Sequence, residues 1–302
     1  MKSIRLFLLA ACALLLAATP ARAALKVLAC EPEWAALTQE LAGDKASVSS
    51  ATSAKQDPHR IEARPSLIAR ARNADLLVCT GAELEVGWLP LLQRESGNAR
   101  IQAGQPGYFE AARFVSLIDK PRSVDRSMGD VHAAGNPHLH LDPRNIARVA
   151  DALAARLAQI DSANAGHYAA RNRDFQNRWQ QAMARWQAAG VALRGVPVAT
   201  HHKNLNYLAN WLGMKADVTL EPKPGVDPSV AYLGEVLAKV REQPVKMILH
   251  ASYESPRASR WLAQRTGAPA VELPYTVGAS AAAKDLFGLY DELIDRLLGA
   301  LK

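Results

Sequence analysis

The sequence predicts an α/β protein of two lobes, each with a mostly parallel sheet, joined by one long rigid helix. Short apolar runs alternate with helical patterns in both halves of the 302-residue chain, which is typical of strand–helix–strand units. Between the halves, a helical pattern without proline runs from about residue 163 to residue 189, and Gly190 ends it. We therefore expect an N-terminal lobe over residues 24–161, a linker helix over 162–190 and a C-terminal lobe over 191–302.

Apolar runs and amphipathic patterns place the elements of the N-terminal lobe. The predicted strands are 24–30, 74–80 and 113–118. The predicted helices are 34–42, 66–73 and 143–159. In the last of these, Ile146, Val149, Leu153 and Leu157 form an apolar stripe, and Pro143 suits a first helical turn.

The same rhythm continues after the linker helix. The predicted strands are 196–200, 215–220, 245–249 and 270–273. The predicted helices are 205–212, 229–241, 256–265 and 284–301. In an open parallel sheet, ligands bind beyond the carboxyl ends of the strands, so residues that follow these strands are the first candidates for function.

The first 23 residues read as a secretory signal peptide. Lys2 and Arg5 precede an apolar run over 6–18, and Ala21-Arg22-Ala23 resembles a small-x-small cleavage site. The mature chain is then expected in the periplasm. A lipid anchor on Cys12 is the alternative, but we favour cleavage because the apolar run continues past that cysteine.

Composition excludes several classes of function. The chain is 49% hydrophobic and 22% charged, which is ordinary for a globular protein, and its net charge of +7 comes without a dense basic block, so we expect no nucleic-acid partner. We expect a monomer. Cys30 and Cys79 both end apolar strands, and in an exported protein they are expected to form a disulfide, with two buried thiols as the alternative.

Histidines are the most informative side chains. Of eight in the chain, His202 and His250 follow predicted strands of the C-terminal lobe, while His59 and His138 lie in proline-flanked loops that can aim a ring. Imidazole is the commonest metal ligand among side chains, and its neutral form needs no counter-charge. Several histidines at strand ends therefore predict a shared metal site.

One motif suggests an enzyme instead. Residues 138–142, His-Leu-His-Leu-Asp, match the start of a zinc-hydrolase signature, but Pro143 stands where that signature needs a further histidine. His-Glu-x-x-His does not occur. We expect no enzymatic activity, and a periplasmic zinc hydrolase remains the alternative of a different class.

Several motifs together resemble the periplasmic zinc- and manganese-binding solute-binding proteins of ABC transporters. Residues 57–66 are similar to the family's Asp-Pro-His-x-x-Glu-x-x-Pro-Ser loop, and residues 137–145 to its Pro-His-x-Trp-Leu-Asp-Pro-x-Asn segment. His202 with Tyr207 resembles its His-x-x-x-x-Tyr segment, and residues 221–225 fit the loop that follows. The resemblance implies two lobes with metal in the cleft, bound by His59, His138 and His202, while His140 replaces a tryptophan and is expected to be structural.

The fourth ligand departs from the family pattern. The family commonly has an aspartate after the last strand of the C-terminal lobe, where residues 273–278 carry no carboxylate. We expect His250 in this role because its predicted strand ends at the cleft, with Asp285 or a water molecule as alternatives. Asp57, Glu62 and Asp142 are expected to orient the ligand rings, because ligating histidines usually donate their other N–H to an acceptor.

These expectations combine into one function. The resemblance implies that the protein captures Zn²⁺ in the periplasm and delivers it to an inner-membrane ABC permease. Three imidazoles favour zinc over manganese, which prefers carboxylate oxygens. A receptor for manganese or another divalent metal is the alternative within the same family.

Overall fold

The computed structural model describes residues 23–123 and 128–302. The predicted signal peptide lies outside the described residues except for Ala23, and so does Cys12. Among the helices of the described ranges, none combines the length and the apolarity needed to cross a membrane.

The N-terminal lobe is built on a four-stranded parallel sheet with the order β2–β1–β3–β4. Its strands are β1 (Leu25–Ala29), β2 (Ala46–Ser50), β3 (Leu76–Cys79) and β4 (Tyr108–Glu110). Its helices before the connection to the second lobe are α1 (Pro32–Ala42), α2 (Pro65–Arg72) and α3 (Leu89–Ser96). All four residues of β3 are buried, as expected of a central strand covered on both faces.

Three elements of this lobe differ from the sequence-based expectation. The prediction of a strand over residues 113–118 is wrong. The strand of this region is β4, five residues earlier, and a short 3₁₀ helix, Ala111–Phe114, follows it. Strand β4 has only three residues, of which Phe109 is buried, and this is too short for an alternation of apolar and polar residues to be recognised in the sequence. Strand β2, with the sequence Ala-Ser-Val-Ser-Ser, lies on the sheet edge and was not predicted because it is mostly polar. Helix α3 was also not predicted.

The C-terminal lobe repeats the architecture, with the strand order β6–β5–β7–β8 and all pairs parallel. Its strands are β5 (Pro197–Thr200), β6 (Lys215–Thr219), β7 (Met247–Ala251) and β8 (Ala270–Leu273). Its helices are α6 (Asn206–Leu212), α7 (Val230–Glu242), α8 (Arg257–Thr266) and α9 (Leu286–Ala300). Strand β7 begins and ends two residues later than expected, which places His250 inside the strand rather than after it.

Two antiparallel helices, α4 (Pro143–Ile160) and α5 (Ala165–Ala189), connect the lobes. Helix α5 has 25 residues and therefore spans ~37 Å. Its buried face packs against α1 in the first lobe and α9 in the second. One continuous apolar cluster runs from β1 through this face to α9. A shared core of this kind holds the two lobes in a defined relation.

The predicted disulfide is confirmed. Cys30 directly follows β1, and Cys79 ends the neighbouring strand β3, in register with one another. Their Cα atoms are 4.8 Å apart, and the two sulfurs are bonded. Both side chains are buried in the smaller apolar cluster of this lobe, beside Trp88.

Candidate metal centre

Three histidines from distant parts of the chain meet between the lobes. His59 lies in the loop after β2, His138 lies before α4, and His202 lies after β5. Each offers one ring nitrogen, and these three nitrogens all lie within 4.8 Å of one another. The Nε2 atoms of His138 and His202, from opposite lobes, are only 3.3 Å apart. An ion bound among them would join the lobes directly.

Local backbone structure aims two of these rings. Asp57 accepts a hydrogen bond from the backbone N–H of His59 at 3.0 Å, and the Trp88 indole N–H donates to the carbonyl of Pro58 at 2.9 Å. Asn136 accepts from the backbone N–H of His138 at 3.0 Å. Short side chains that bind the backbone two residues on are typical of Asx turns, which explains why both loops have the form Asx-Pro-His.

Carboxylates hold the far nitrogens of two of the rings. The Nδ1 atom of His59 lies 2.7 Å from Asp57, and that of His202 lies 2.7 Å from Glu221. An ionised carboxylate can only accept, so in each pair Nδ1 carries the proton and the Nε2 lone pair is free for a ligand. Burial alone would raise the pKa of Asp57, but the hydrogen bonds from His59 and the charges of His59 and Arg60 together outweigh burial and lower that pKa, which keeps the carboxylate ionised.

Tyr275 takes the same position at the third ring. Its hydroxyl lies 2.6 Å from Nδ1 of His138. Burial raises the pKa of Tyr275 well above its usual value, so the hydroxyl stays neutral and can accept from Nδ1–H. Burial, followed by the neighbouring His59 and His202, lowers the pKa of His138 well below its usual value. The His138 ring is therefore neutral at pH 7, the state that metal coordination requires.

A fourth imidazole, His132, approaches from the segment 129–133. Its Nε2 lies 3.3 Å from Nε2 of His59, and the two rings stack with centroids 5.3 Å apart. Burial, followed by the charge of His59, lowers the pKa of His132 to about 4, so this ring is also neutral.

Contacts to both lobes hold the segment 129–133 over the cleft. The backbone N–H of Asp130 donates to Pro224 at 2.9 Å, and that of Ala133 donates to Glu83 at 2.6 Å. Glu83 itself has a left-handed backbone, with φ of 68°, a conformation that a side-chain-bearing residue adopts only when its surroundings hold it.

His250 is not brought to this group. It is the fourth of the five residues of β7, where its Nδ1 is 3.2 Å from the hydroxyl of Ser259 on α8 and its Nε2 is 3.9 Å from Glu272 on β8. Side chains alternate along a strand, and the neighbouring Leu249 faces the core around α5. The expectation that His250 emerges at the cleft edge rested on a strand ending at Leu249, whereas β7 continues to Ala251.

The other expected residues separate into one that touches a ring and three that do not. Asp57 binds His59 as described. The carboxylate of Glu62 is 78% exposed and pairs with Arg64, so it orients no histidine. Asp142 caps α4 and pairs with Arg144, and Asp285, the alternative fourth ligand, caps α9 through Gly288. Both acids stabilise helix N-termini instead.

His140, which was expected to be structural, lies in a buried network between the lobes. Its Nε2 is 2.9 Å from the backbone carbonyl of Tyr275, and its Nδ1 is 3.2 Å from Glu33. Thr276 of the second lobe also donates to Glu33. This network holds the segment that carries Tyr275 against the first lobe.

Sequence reasoning missed His132, Glu221 and Tyr275 as parts of the site. Glu221 is 19 residues from His202, and Tyr275 is 137 residues from His138. No local spacing signals such pairings. For His132 the signal was only its type, a histidine in a loop.

Comparisons with known proteins identify the family of this chain. The family model described as "Zinc-uptake complex component A periplasmic" matches residues 27–300. The "High-affinity zinc uptake system protein ZnuA" of Bacillus subtilis is 24% identical over 269 residues, covering 88% of this chain and 82% of that protein. The "Manganese ABC transporter substrate-binding lipoprotein PsaA" of Streptococcus anginosus is 22% identical over 247 residues, covering 81% and 78%.

Solved structures share the fold. The Mn-bound periplasmic metal binding protein from Candidatus Liberibacter asiaticus superposes with a TM-score of 0.74 at 19% identity, over 91% of this chain and 99% of that one. The two parallel-sheet lobes expected from the sequence are thereby confirmed. The family match covers nearly all of the described chain, and the chain belongs to the periplasmic zinc-uptake component A family, whose members are substrate-binding proteins of metal ABC transporters and not enzymes.

Proposed function

We propose that this protein captures one Zn²⁺ ion in the periplasm and delivers it to an inner-membrane ABC permease. The observation that carries the proposal is the convergence of His59, His138 and His202, whose ring nitrogens lie within 4.8 Å of one another. Each ring has its Nδ1 beside a hydrogen-bonding oxygen, which prepares Nε2 for the ion.

Zinc suits this donor set better than manganese. Zn²⁺ prefers nitrogen and sulfur donors in tetrahedral sites, whereas Mn²⁺ prefers carboxylate oxygens. The carboxylates that contact the rings, Asp57 and Glu221, are engaged with Nδ1 atoms behind them. The relative in Streptococcus anginosus is named for manganese, so the ranking of the two metals is a test of this chemistry.

We assign His132 as the fourth ligand in place of His250. Its Nε2 is 3.3 Å from that of His59 and its ring is neutral, so it can bind the same ion once the segment 129–133 moves toward His138 and His202. Four imidazoles would close the tetrahedron, which suits capture and holding. The role requires no catalysis, and we propose that the protein acts as a monomer.

The test measures zinc affinity by competition with a chromogenic chelator. We expect single alanine variants of His59, His138 and His202 each to lose at least ~100-fold in affinity, and His132→Ala to lose ~10-fold. His250→Gln is the matched control, because it removes an equally buried imidazole outside the group and is expected to bind as the wild type does.

Metal competition and elemental analysis complete the test. Protein purified without added metal is expected to contain one equivalent of zinc, and a large excess of Mn²⁺ is expected not to displace it. Unchanged affinity in any one of the three variants removes that residue from the site. Preferential binding of Mn²⁺ would contradict the zinc assignment.

A further inference from the structure

A cavity between the lobes borders His138 and His202 of the metal-binding group, together with His132. Its volume is about 610 Å³, far larger than an ion needs. A zinc ion with bonds of ~2.0–2.1 Å occupies almost none of this space. Pockets for small organic ligands typically have volumes of about 300–1,000 Å³.

The charge of the cavity wall is opposite to what a bare metal cation would favour. Among the described residues of this wall, four cationic side chains outnumber two acidic ones, Asp119 and Asp130. The cations are Lys120, Arg122, Lys203 and Lys223. Within the described residues no ion pair holds Lys120, Arg122 or Lys203, all three of which are exposed. Such a wall repels M²⁺ and attracts anions.

Part of the cavity wall is conformationally restricted, because each proline fixes its own φ angle. The prolines of the wall are Pro121, Pro137, Pro222 and Pro224. Asp119 holds the base of the Lys120 segment from both lobes, because its carboxylate accepts from Asn136 at 3.0 Å and from Asn206 at 2.7 Å. Asp119 has a left-handed backbone, with φ of 53°, which these contacts maintain. A preformed wall lowers the entropy cost of binding a small ligand.

We propose that this cavity binds a small polycarboxylate, and that zinc enters the cleft as its complex with such an anion. Carboxylates are among the anions that lysine and arginine bind by charge-assisted hydrogen bonds, and carboxylate oxygens are also ligands for Zn²⁺. In the cleft, zinc–oxygen bonds to the anion are exchanged for zinc–nitrogen bonds to the histidines, with no change in oxidation state. The inference rests on the proposed function, because it names the form in which the metal arrives.

Citrate is the probe, and calorimetry of metal-free and zinc-loaded protein is the first measurement. We expect saturable binding of one citrate, weakened at least ~10-fold in the double variant Lys120→Gln/Lys203→Gln, which removes one cation from each lobe. The control is Lys215→Gln/Lys246→Gln, at the amino ends of β6 and β7, away from the cleft. It is expected to bind citrate as the wild type does.

A stopped-flow measurement then connects the cavity to metal capture. Zinc uptake from zinc citrate is expected to slow ~10-fold in Lys120→Gln/Lys203→Gln, while uptake from zinc chloride is unchanged or faster. Absence of citrate binding by a wild-type protein that holds zinc tightly overturns this inference and leaves the proposed function intact. If the double variant binds citrate as tightly as the wild type does, the inference is also overturned. An acidic segment of a protein partner then becomes the candidate ligand of these cations. Failure to bind zinc at all contradicts the proposed function itself.

Discussion

The carboxylates behind the ligand rings give a prediction whose size can be worked from the structure. Glu221→Gln keeps the shape of the side chain and its contact with Nδ1 of His202 but removes the negative charge. The 2.7 Å contact, the width of the ring and one metal–nitrogen bond together place that charge about 7 Å from a bound ion. Asp57→Asn makes the same change behind His59.

Coulomb's law bounds the effect. Charges of −1 and +2 at this separation interact by about 1 kcal/mol in a medium like bulk water and by about 5 kcal/mol at the effective dielectric constant of a protein surface. The Glu221 side chain is 11% exposed and that of Asp57 is 37% exposed, so solvent screens Asp57 more. We expect zinc affinity to fall ~30–100-fold in Glu221→Gln and ~10-fold in Asp57→Asn.

Competition with a chelator at fixed pH and ionic strength measures both values. Glu62→Gln is the matched control, because its carboxylate is exposed and paired with Arg64, and its affinity is expected to stay within about twofold of the wild type. The reasoning is refuted if Glu221→Gln also stays within twofold, or if Asp57→Asn loses more affinity than Glu221→Gln.

Three further predictions concern stability. Cys30→Ala/Cys79→Ala removes a crosslink between residues 49 positions apart and is expected to lower the free energy of unfolding by about 4 kcal/mol on chain entropy, measured in urea against the oxidised wild type. Trp179→Phe leaves the carbonyl of Pro143 without its 2.8 Å donor and opens space on α5, so it should cost at least about 2 kcal/mol, whereas Trp261→Phe, half-buried on α8, should cost less than about 1 kcal/mol. Burial lowers the pKa of His250 to about 4, whereas the unfolded value is near 6.5. Between these two values the unfolded chain binds one more proton at this ring than the folded chain, so the free energy of unfolding decreases as the pH is lowered. Metal-free wild type should therefore lose about 1–2 kcal/mol more than His250→Gln between about pH 7.5 and about pH 5, after allowance for solvent screening, and equal losses would contradict the buried neutral ring.

The features that could be predicted from the sequence are those whose cause is local. The apolar run of β3 predicts a buried strand, and the long proline-free pattern of α5 predicts a helix. Both signals are carried by residues that are close together in the sequence. The Asx-Pro-His loops around His59 and His138 are local in the same sense, since each aspartate or asparagine binds the backbone two residues on. The three histidines of the central group could therefore be named before any coordinates.

Other features were decided by packing between distant segments. A two-residue shift in β7 moved His250 from the cleft edge into the strand, and a shift of this size lies within the uncertainty of any boundary read from a short apolar run. His132 reaches His59 across 73 residues only because Glu83 and Pro224 hold its segment over the cleft. Tyr275 reaches His138 because the second lobe closes on the first, and Glu221 reaches His202 because β6 lies beside β5 in the same sheet. Such contacts depend on how two sheets and a shared core are arranged in space, and no pattern of neighbouring residues encodes that arrangement.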